Sequence, residues 1–209
     1  MIFDFNGTLS QDEPILCEIF SDLFAEQGRP LSAQEYFDEL AGLSDLEIVR
    51  TWLGHDHPAV DEVIEQRIAR YRARVGDGSS VPEAVREAVR YAAERVPVGI
   101  VSGAARAEIA PVIEAAGLGR SIAALVAAED VPEGKPDPAG YLRALELLDG
   151  GIEARDVVVF EDTEAGVAAA KAAGMRCVAV LGTLAPERLA AADDIVPAID
   201  GPLLERLLA

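Results

Sequence analysis

Hydrophobic residues recur with helical spacing through residues 12–74, and they form continuous apolar runs on either side of that stretch. Ile15, Ile19 and Leu23 follow one another at intervals of four residues, so they share one face of a helix. A first helix is therefore predicted near the start of this stretch, and no segment of it alternates in the manner of a strand.

Capping signals divide the helical stretch further. A serine precedes a glutamate by three residues at Ser32 and again at Ser44, and this spacing is typical of a capping box at a helix start. A fourth helix is predicted over residues 58–74. The segment 76–80, with the sequence GDGSS, is predicted to be a flexible linker because glycine and serine dominate it.

Beyond the linker, apolar runs alternate with helical segments. Strands are predicted over residues 96–102, 123–127, 157–160 and 177–181 and near 195–196, and helices over residues 105–116, 136–148 and 163–173 and from Pro202 onward. Such alternation, with strands apolar throughout, indicates a parallel sheet that is covered by helices on both faces. Residues 2–5 must supply the first strand of the same sheet.

This order of elements defines a fold class. We predict an α/β protein with a doubly wound parallel sheet, a Rossmann-like core, and an α-helical cap domain inserted after the first strand. The predicted core comprises residues 1–11 and 79–209, and the predicted cap comprises residues 12–78.

Composition narrows the functional classes. The 209 residues carry a formal net charge of −19, which argues against a nucleic-acid partner. No run approaches 18 consecutive apolar residues, so we expect no membrane span. Cys17 and Cys177 are too few for a disulfide framework and are predicted to be reduced core residues. We expect a cytoplasmic protein that is a monomer or a weak homodimer.

Polar residues that could bind a ligand or take part in a reaction follow the predicted strands. Asp4 comes directly after the first apolar run, where α/β folds open onto a ligand crevice, and its carboxylate can act as a nucleophile. Ser102 and the Gly103 amide can donate hydrogen bonds to phosphoryl oxygens. Glu161 and Asp162 close the most apolar strand, and carboxylates in this setting suit Mg²⁺ in an oxygen shell.

Lysine is rare in this chain. Of its 18 basic residues only Lys135 and Lys171 are lysine. Lys171 lies in an alanine-rich predicted helix and is interpreted as a surface charge. Lys135 lies in the sequence GKPDP, and a compact ammonium group can spread positive charge over a transferring phosphoryl group and hold a nucleophilic carboxylate ionised.

Four motifs together resemble the haloacid dehalogenase superfamily, in its branch of β-phosphoglucomutase-like and phosphoglycolate-phosphatase-like hydrolases with a helical cap. They are DFNGTL at residues 4–9, VSG at residues 101–103, GKPDP at residues 134–138 and EDTEAG at residues 161–166. They occur in the family's order and cover essentially the whole chain, which makes the resemblance specific.

The resemblance implies Mg²⁺-dependent hydrolysis of a small phosphorylated metabolite through an aspartyl-phosphate on Asp4. It implies that Mg²⁺ is held by Asp4, by the backbone carbonyl of Asn6 and by an acid of the last motif, Asp162 with Glu161 beside it. It also implies phosphate contacts from the motif loops, for which we take Thr8, Ser102, Gly103 and Lys135.

Asn6 departs from the family pattern. Family phosphatases have an aspartate there that protonates the leaving oxygen and then takes a proton from the attacking water, and an amide can do neither. General acid–base groups contribute about 10² to 10⁴ in rate. Either the enzyme prefers good leaving groups such as acyl phosphates, or another group supplies the proton, or the site binds a phosphorylated ligand and barely turns it over. An engineered Asp-to-Asn change is a further alternative.

Other family activities fit less well. Dehalogenases lack the acidic pair of the last motif, and phosphonoacetaldehyde hydrolases need a cap lysine that residues 11–80 do not contain. A mutase is disfavoured because it needs the missing acid–base group twice. Within the predicted cap, Ser44 and Arg50 are expected to face the substrate, whereas Trp52 and Tyr71 are expected to pack internally.

Overall fold

The computed structural model describes residues 1–148 and 151–209, and its centre is one six-stranded sheet. The strands are β1 (Ile2–Phe3), β2 (Gly99–Val101), β3 (Ala124–Val126), β4 (Val158–Glu161), β5 (Arg176–Val180) and β6 (Asp194–Val196). Their order is β3-β2-β1-β4-β5-β6, and neighbouring strands pair in parallel. The predicted doubly wound parallel sheet is confirmed.

The first strand holds the centre of the sheet because it is apolar on both faces. Ile2 and Phe3 are fully buried, and Phe3 stacks on Phe160 of β4 with 4.8 Å between the ring centroids. Since β2 lies on one side of β1 and β4 on the other, the chain winds outward in two directions from this strand. Ligands bind at such a switch point, beyond the carboxyl ends of the strands.

Helices surround the sheet and also fill the long excursion between β1 and β2. They are α1 (Glu13–Glu26), α2 (Ala33–Glu35) with a following π-helical turn (Tyr36–Leu40), α3 (Asp45–Leu53), α4 (Val60–Val75), α5 (Glu83–Ala93), α6 (Arg106–Ala115), α7 (Ala139–Leu148), α8 (Glu164–Ala172) and α9 (Gly201–Leu208). Ser32 and Ser44 form the two expected capping boxes, each with the glutamate three residues later.

Some predicted boundaries are wrong. Helix α5 was not predicted, although Val85, Ala88, Val89 and Ala92 lie buried along one face. Strand β2 has three residues instead of the seven expected over 96–102. Helix α7 begins at Ala139 rather than at residue 136. The carboxylate of Asp137 accepts a hydrogen bond from the Ala139 backbone N–H at 2.8 Å, which favours a turn before the helix.

The two chain segments that connect the helical excursion to the sheet are tied together. The Ser10 hydroxyl bonds the Ser80 hydroxyl at 2.7 Å, and the Gln11 backbone N–H donates to the Ser80 carbonyl at 2.8 Å. The division into a core and a cap at residues 11 and 79 stays a prediction. Within the described residues, no helix combines the length and the apolar character that crossing a membrane requires.

Candidate active site

The carboxyl ends of three neighbouring strands place polar side chains around one cavity. Asp4 follows β1, and its backbone N–H donates to the carbonyl of Phe160 at 2.9 Å, which fixes the strand end. Ser102 follows β2, and Asp162 follows β4. All three side chains are buried and line a cavity of about 580 Å³, as do Asn6, Gly103 and Lys135.

Lys135 binds two carboxylates at the bottom of this cavity. Its ammonium lies 2.5 Å from Asp4 Oδ1 and 2.5 Å from Glu161 Oε1, and it also donates to the carbonyl of Val101 at 3.2 Å. Burial alone would lower the pKa of Lys135, but Asp4 and Glu161 outweigh it and hold the pKa above its usual value. Lys135 is therefore a permanent cation beside Asp4.

Three buried carboxylates meet at this point. One oxygen each from Asp4, Glu161 and Asp162 lies within 4.8 Å of the others. Burial raises the pKa of Asp4 to about 7, and Lys135 limits the rise. Burial also raises the pKa of Asp162, and the neighbouring Asp4 and Glu161 carboxylates add to it.

One ammonium faces three carboxyl groups, so the cluster has an excess of negative charge once all three carboxyl groups are ionised. Glu161 is occupied, since it contacts Lys135 and accepts the Tyr141 hydroxyl at 2.5 Å. Asp4 and Asp162 line the cavity and Glu161 does not, so Asp4 and Asp162 are the carboxyl groups that a cation in the cavity can reach. An oxygen-only donor set of this kind fits Mg²⁺.

The loop after β1 passes very close to Asp162. Gly7 has φ +71°, and a Cβ on it would lie 1.9 Å from Asp162 Oδ2 and 2.5 Å from Thr183 Oγ1. Only glycine fits this approach. The buried Thr8 hydroxyl donates to Asp162 Oδ1 at 3.1 Å. The structure thus places Thr8 beside Asp162 and not among the residues that line the cavity, and its phosphate contact stays a prediction.

The Asn6 side chain is held by two residues that the sequence did not single out for the site. Its Nδ2 donates to Asp12 Oδ2 at 2.9 Å and to the Tyr71 hydroxyl at 3.2 Å. Asp12 is fully buried at the start of α1, and Tyr71 lies on α4. Tyr71 is buried as expected of a packing residue, but it also contacts the site.

The helices of the excursion form the opposite wall of the cavity. Arg67 of α4 is buried and pairs with Asp45 at 3.3 Å and, more closely, with Glu108 of α6. Glu13 of α1 accepts the Tyr36 hydroxyl at 3.0 Å. Burial raises the pKa of Glu13 to about 7, and the charge of Asp12 adds to the effect. This wall therefore carries one carboxyl group that titrates near neutral pH, that of Glu13, and one cation, Arg67, whose charge is offset by Asp45 and Glu108.

The two expected cap contacts differ in position. Ser44 lines the cavity, while its hydroxyl donates to Glu47 Oε2 at 2.7 Å as part of the capping box. Arg50 is not among the described residues that line the cavity, and its contact with the substrate stays a prediction. Arg67 is the arginine that reaches this space.

Sequence reasoning missed Arg67, although a signal was present. Val63, Arg67, Tyr71 and Val75 follow at intervals of four residues and are all buried, so a cation stands in the middle of an apolar helix face. A buried arginine needs carboxylate partners. No comparable periodic signal marked Glu13 or Asp12.

A family model described as haloacid dehalogenase-like hydrolase matches residues 1–180. Two curated relatives are phosphatases. Validoxylamine A 7'-phosphate phosphatase of Streptomyces hygroscopicus subsp. limoneus is 32% identical, over 92% of this chain and 90% of that protein. Hexitol phosphatase B of Escherichia coli (strain K12) is 32% identical, over 86% of this chain and 82% of that protein.

A solved structure shows the same fold. The crystal structure of CbbY from Rhodobacter sphaeroides in complex with phosphate matches with a TM-score of 0.80, over 95% of this chain and 93% of that one. At 22% identity this similarity supports the fold alone.

Proposed function

The chain belongs to the haloacid dehalogenase-like hydrolases and is a phosphoric-ester hydrolase, and on this premise we propose that it cleaves the phosphate monoester of a small polyhydroxylated metabolite. The observation that carries the proposal is the position of Asp4, whose carboxylate lies against Lys135 in the cavity. The phosphatase activity of both curated relatives supports the reaction type.

Asp4 is the proposed nucleophile. One of its oxygens forms a bond to phosphorus while the bond from phosphorus to the leaving oxygen breaks, which gives an aspartyl-phosphate and an alcohol. A water molecule then attacks phosphorus and releases inorganic phosphate and the Asp4 carboxylate. Lys135 offsets the negative charge of the transferring phosphoryl group, and Ser102 with the Gly103 amide can donate to its oxygens.

Mg²⁺ is the proposed cofactor. Asp4, Asp162 and the backbone carbonyl of Asn6 would hold it, with Glu161 contributing negative charge beside it. When bound, such an ion neutralises charge on the phosphoryl group and orients its oxygens. The excess of buried carboxylates over lysine at this point supports a divalent cation.

Glu13 is the proposed source of the proton that Asn6 cannot supply. It lies on the cavity wall, and the Tyr36 hydroxyl orients its carboxyl group. With a pKa near 7, a substantial fraction of Glu13 is protonated at neutral pH. It can therefore give a proton to the leaving oxygen and take one from the attacking water in the second step.

The charges of the cavity favour an uncharged organic part of the substrate. Carboxylates dominate the lining, and its two cations, Arg67 and Lys135, already have carboxylate partners. The lining carboxylates are Asp4, Glu13, Asp45, Glu47, Glu133, Asp137 and Asp162. A second phosphate or a carboxylate on the substrate would find no unpaired cation among these described residues. Hydroxyl groups, by contrast, can donate to the carboxylates.

The test is phosphate release from a panel that runs from acetyl phosphate through hexitol phosphates to sugar bisphosphates, with and without Mg²⁺. We expect turnover of hexitol-type monoesters that requires Mg²⁺ and is lost in Asp4→Asn. Asp61→Asn, an exposed change on α4, is the matched control and should behave like the unaltered protein.

Absence of turnover across the panel, with phosphate esters still bound, would instead support the second candidate. That candidate is a phosphate-binding protein with impaired catalysis, and the amide at position 6 is the observation in its favour.

A further inference from the structure

The Asn6 side chain is surrounded by groups that match the hydrogen bonds of an amide. Asn6 Nδ2 is 2.9 Å from Asp12 Oδ2 and 3.2 Å from the Tyr71 hydroxyl oxygen. The same Asp12 carboxylate accepts the Gly7 backbone N–H at 3.1 Å and the Tyr71 hydroxyl in a short hydrogen bond. Asp12 is fully buried, and the Ser10 side chain is a further hydrogen-bond partner of its carboxyl group.

The chemistry of the partners fixes which way the amide points. The Nδ2 atom of Asn6 faces both Asp12 Oδ2 and the Tyr71 oxygen, and an NH₂ group can only donate hydrogen bonds, so both oxygens accept from it. Tyr71 gives its single proton to Asp12, so its oxygen is free to accept from the same NH₂ group. Both N–H bonds of Asn6 are then used, and the carbonyl Oδ1 is the polar atom that remains for the cavity that Asn6 lines.

A carboxylate at position 6 would not fit this arrangement. It would place a second carboxyl group against the buried Asp12 carboxyl group and the Tyr71 oxygen, and it could not donate the two hydrogen bonds that the NH₂ group makes. The surroundings of Asn6 therefore differ from those of a site that has simply lost an acid.

We propose that Asp12 and Tyr71 are positioning residues that hold Asn6 as a fixed hydrogen-bond acceptor for the reacting hydroxyl group. The reacting hydroxyl is the attacking water or the departing alcohol, and Asn6 orients it without exchanging a proton. Asp12 belongs to the start of α1 and Tyr71 to α4, so the amide is oriented only when these helices are seated over the sheet. This inference rests on the proposed phosphatase activity for its kinetic consequences but not for its geometry.

The geometry can be tested without catalysis because Asn6 is the only asparagine among the 209 residues. Protein labelled with ¹⁵N at asparagine side chains should give one NH₂ pair in a correlation spectrum. We expect that pair to exchange with solvent at least about tenfold more slowly than a free amide, since hydrogen bonds to charged groups are the stronger ones. Tyr71→Phe and Asp12→Asn should each shift the pair and speed its exchange, whereas Tyr91→Phe should not.

The kinetic test uses four variants in the full chain with a hexitol phosphate and Mg²⁺. Tyr71→Phe and Asp12→Asn should lower kcat by about tenfold or more with a much smaller change in KM, because misplacing a reacting group costs rate. Asn6→Asp should also lower kcat by about tenfold. The exchanged pair Asn6→Asp with Asp12→Asn should regain about tenfold over Asn6→Asp alone, because a donor and an acceptor again face each other.

The controls and outcomes separate this inference from the proposed function. Melting temperatures identify any variant that fails to fold. Tyr91→Phe makes the same chemical change as Tyr71→Phe at a remote position, and Asp61→Asn does so for Asp12→Asn. An Asn6→Asp variant that equals or exceeds the unaltered protein in kcat would overturn the inference. So would an Asn6 NH₂ signal that exchanges freely or ignores both partner variants. If the unaltered protein shows no turnover but the NH₂ pair is protected, the proposed function fails and the geometry stands.

Discussion

The two sides of the cavity use charge in different ways. The sheet-edge floor consists of Asp4, Lys135, Glu161 and Asp162, so it has three carboxyl groups for one ammonium group. The helical wall carries Arg67, which is matched by Asp45 and Glu108. The floor is thus arranged to attract a cation and a phosphoryl group, whereas the wall offers little net attraction to a second anionic group.

The two regions also differ in what fixes their positions. Hydrogen bonds between parallel strands set the floor, because Asp4 and Asp162 extend directly from paired strand ends. The wall depends on helix packing and on the buried contact between Arg67 of α4 and Glu108 of α6. Changes on the floor should therefore alter chemistry, and changes on the wall should alter stability, proton supply and selectivity.

Lys135→Gln should cause the largest loss of activity. It removes the cation from the floor, and loss of one group that stabilises transition-state charge costs about 10² to 10³ in kcat. Lys171→Gln is a matched control, since Lys171 is the other lysine of the chain and pairs with the surface residue Asp193. Steady-state phosphate release measures both. Similar kcat values for the two variants would show that Lys135 takes no part in the reaction.

Arg67→Gln tests whether the wall is held by its buried ion pairs. Removing one partner of a buried pair leaves an uncompensated charge, so we expect the free energy of unfolding to fall by about 3 kcal/mol. Urea denaturation measures the change. Arg155→Gln removes an arginine from an exposed pair with Glu153 and should leave the stability nearly unchanged. Equal stabilities of the two variants would show that the wall does not rely on this contact.

The floor could be predicted from the sequence, and the wall could not. Asp4, Ser102 and Asp162 each follow a short apolar run, so the strand pattern by itself brought them to one edge of the sheet. Arg67, Glu13 and Asp12 lie on helices or at their starts. Their meeting depends on how helices cross in space, which hydrophobic periodicity does not encode. The contacts of Asn6 with Asp12 and Tyr71 likewise depend on helix packing and could not be predicted from the sequence.

Glu13→Gln tests the proton supply from the wall. The pKa of Glu13 is raised to about 7 by burial and by Asp12 and Asp4, against the lowering effects of Tyr36 and Arg67. A carboxyl group gives a proton only while it is protonated, so kcat should fall as the pH rises through about 7 if protonation of the leaving oxygen limits the rate. In Glu13→Gln we expect kcat to drop by about 10² and this limb to disappear.

Acetyl phosphate provides the internal control for Glu13, because its leaving group needs no proton from the enzyme. Glu13→Gln should therefore form the aspartyl-phosphate from acetyl phosphate at nearly the unaltered rate, although its hydrolysis should slow because Glu13 also takes the proton of the attacking water. Equal losses in the rate of aspartyl-phosphate formation from acetyl phosphate and from a hexitol phosphate would contradict the role in protonating the leaving oxygen.

Arg50→Gln should have the smallest effect and tests the boundary of the wall. Sequence spacing placed Arg50 toward the substrate, but the cavity is lined by Arg67 instead. We therefore expect kcat/KM to change by less than about twofold for every substrate that is turned over, because Arg50 is not among the described residues that line the cavity. Inhibition by a competing sugar bisphosphate measures more sensitively whether Arg50 contributes to substrate binding. If Arg50 bound a second phosphate, its loss would weaken the binding of the bisphosphate selectively. Equal inhibition of Arg50→Gln and of the unaltered protein would instead assign the specificity of this cavity to the residues around Arg67 and Glu13.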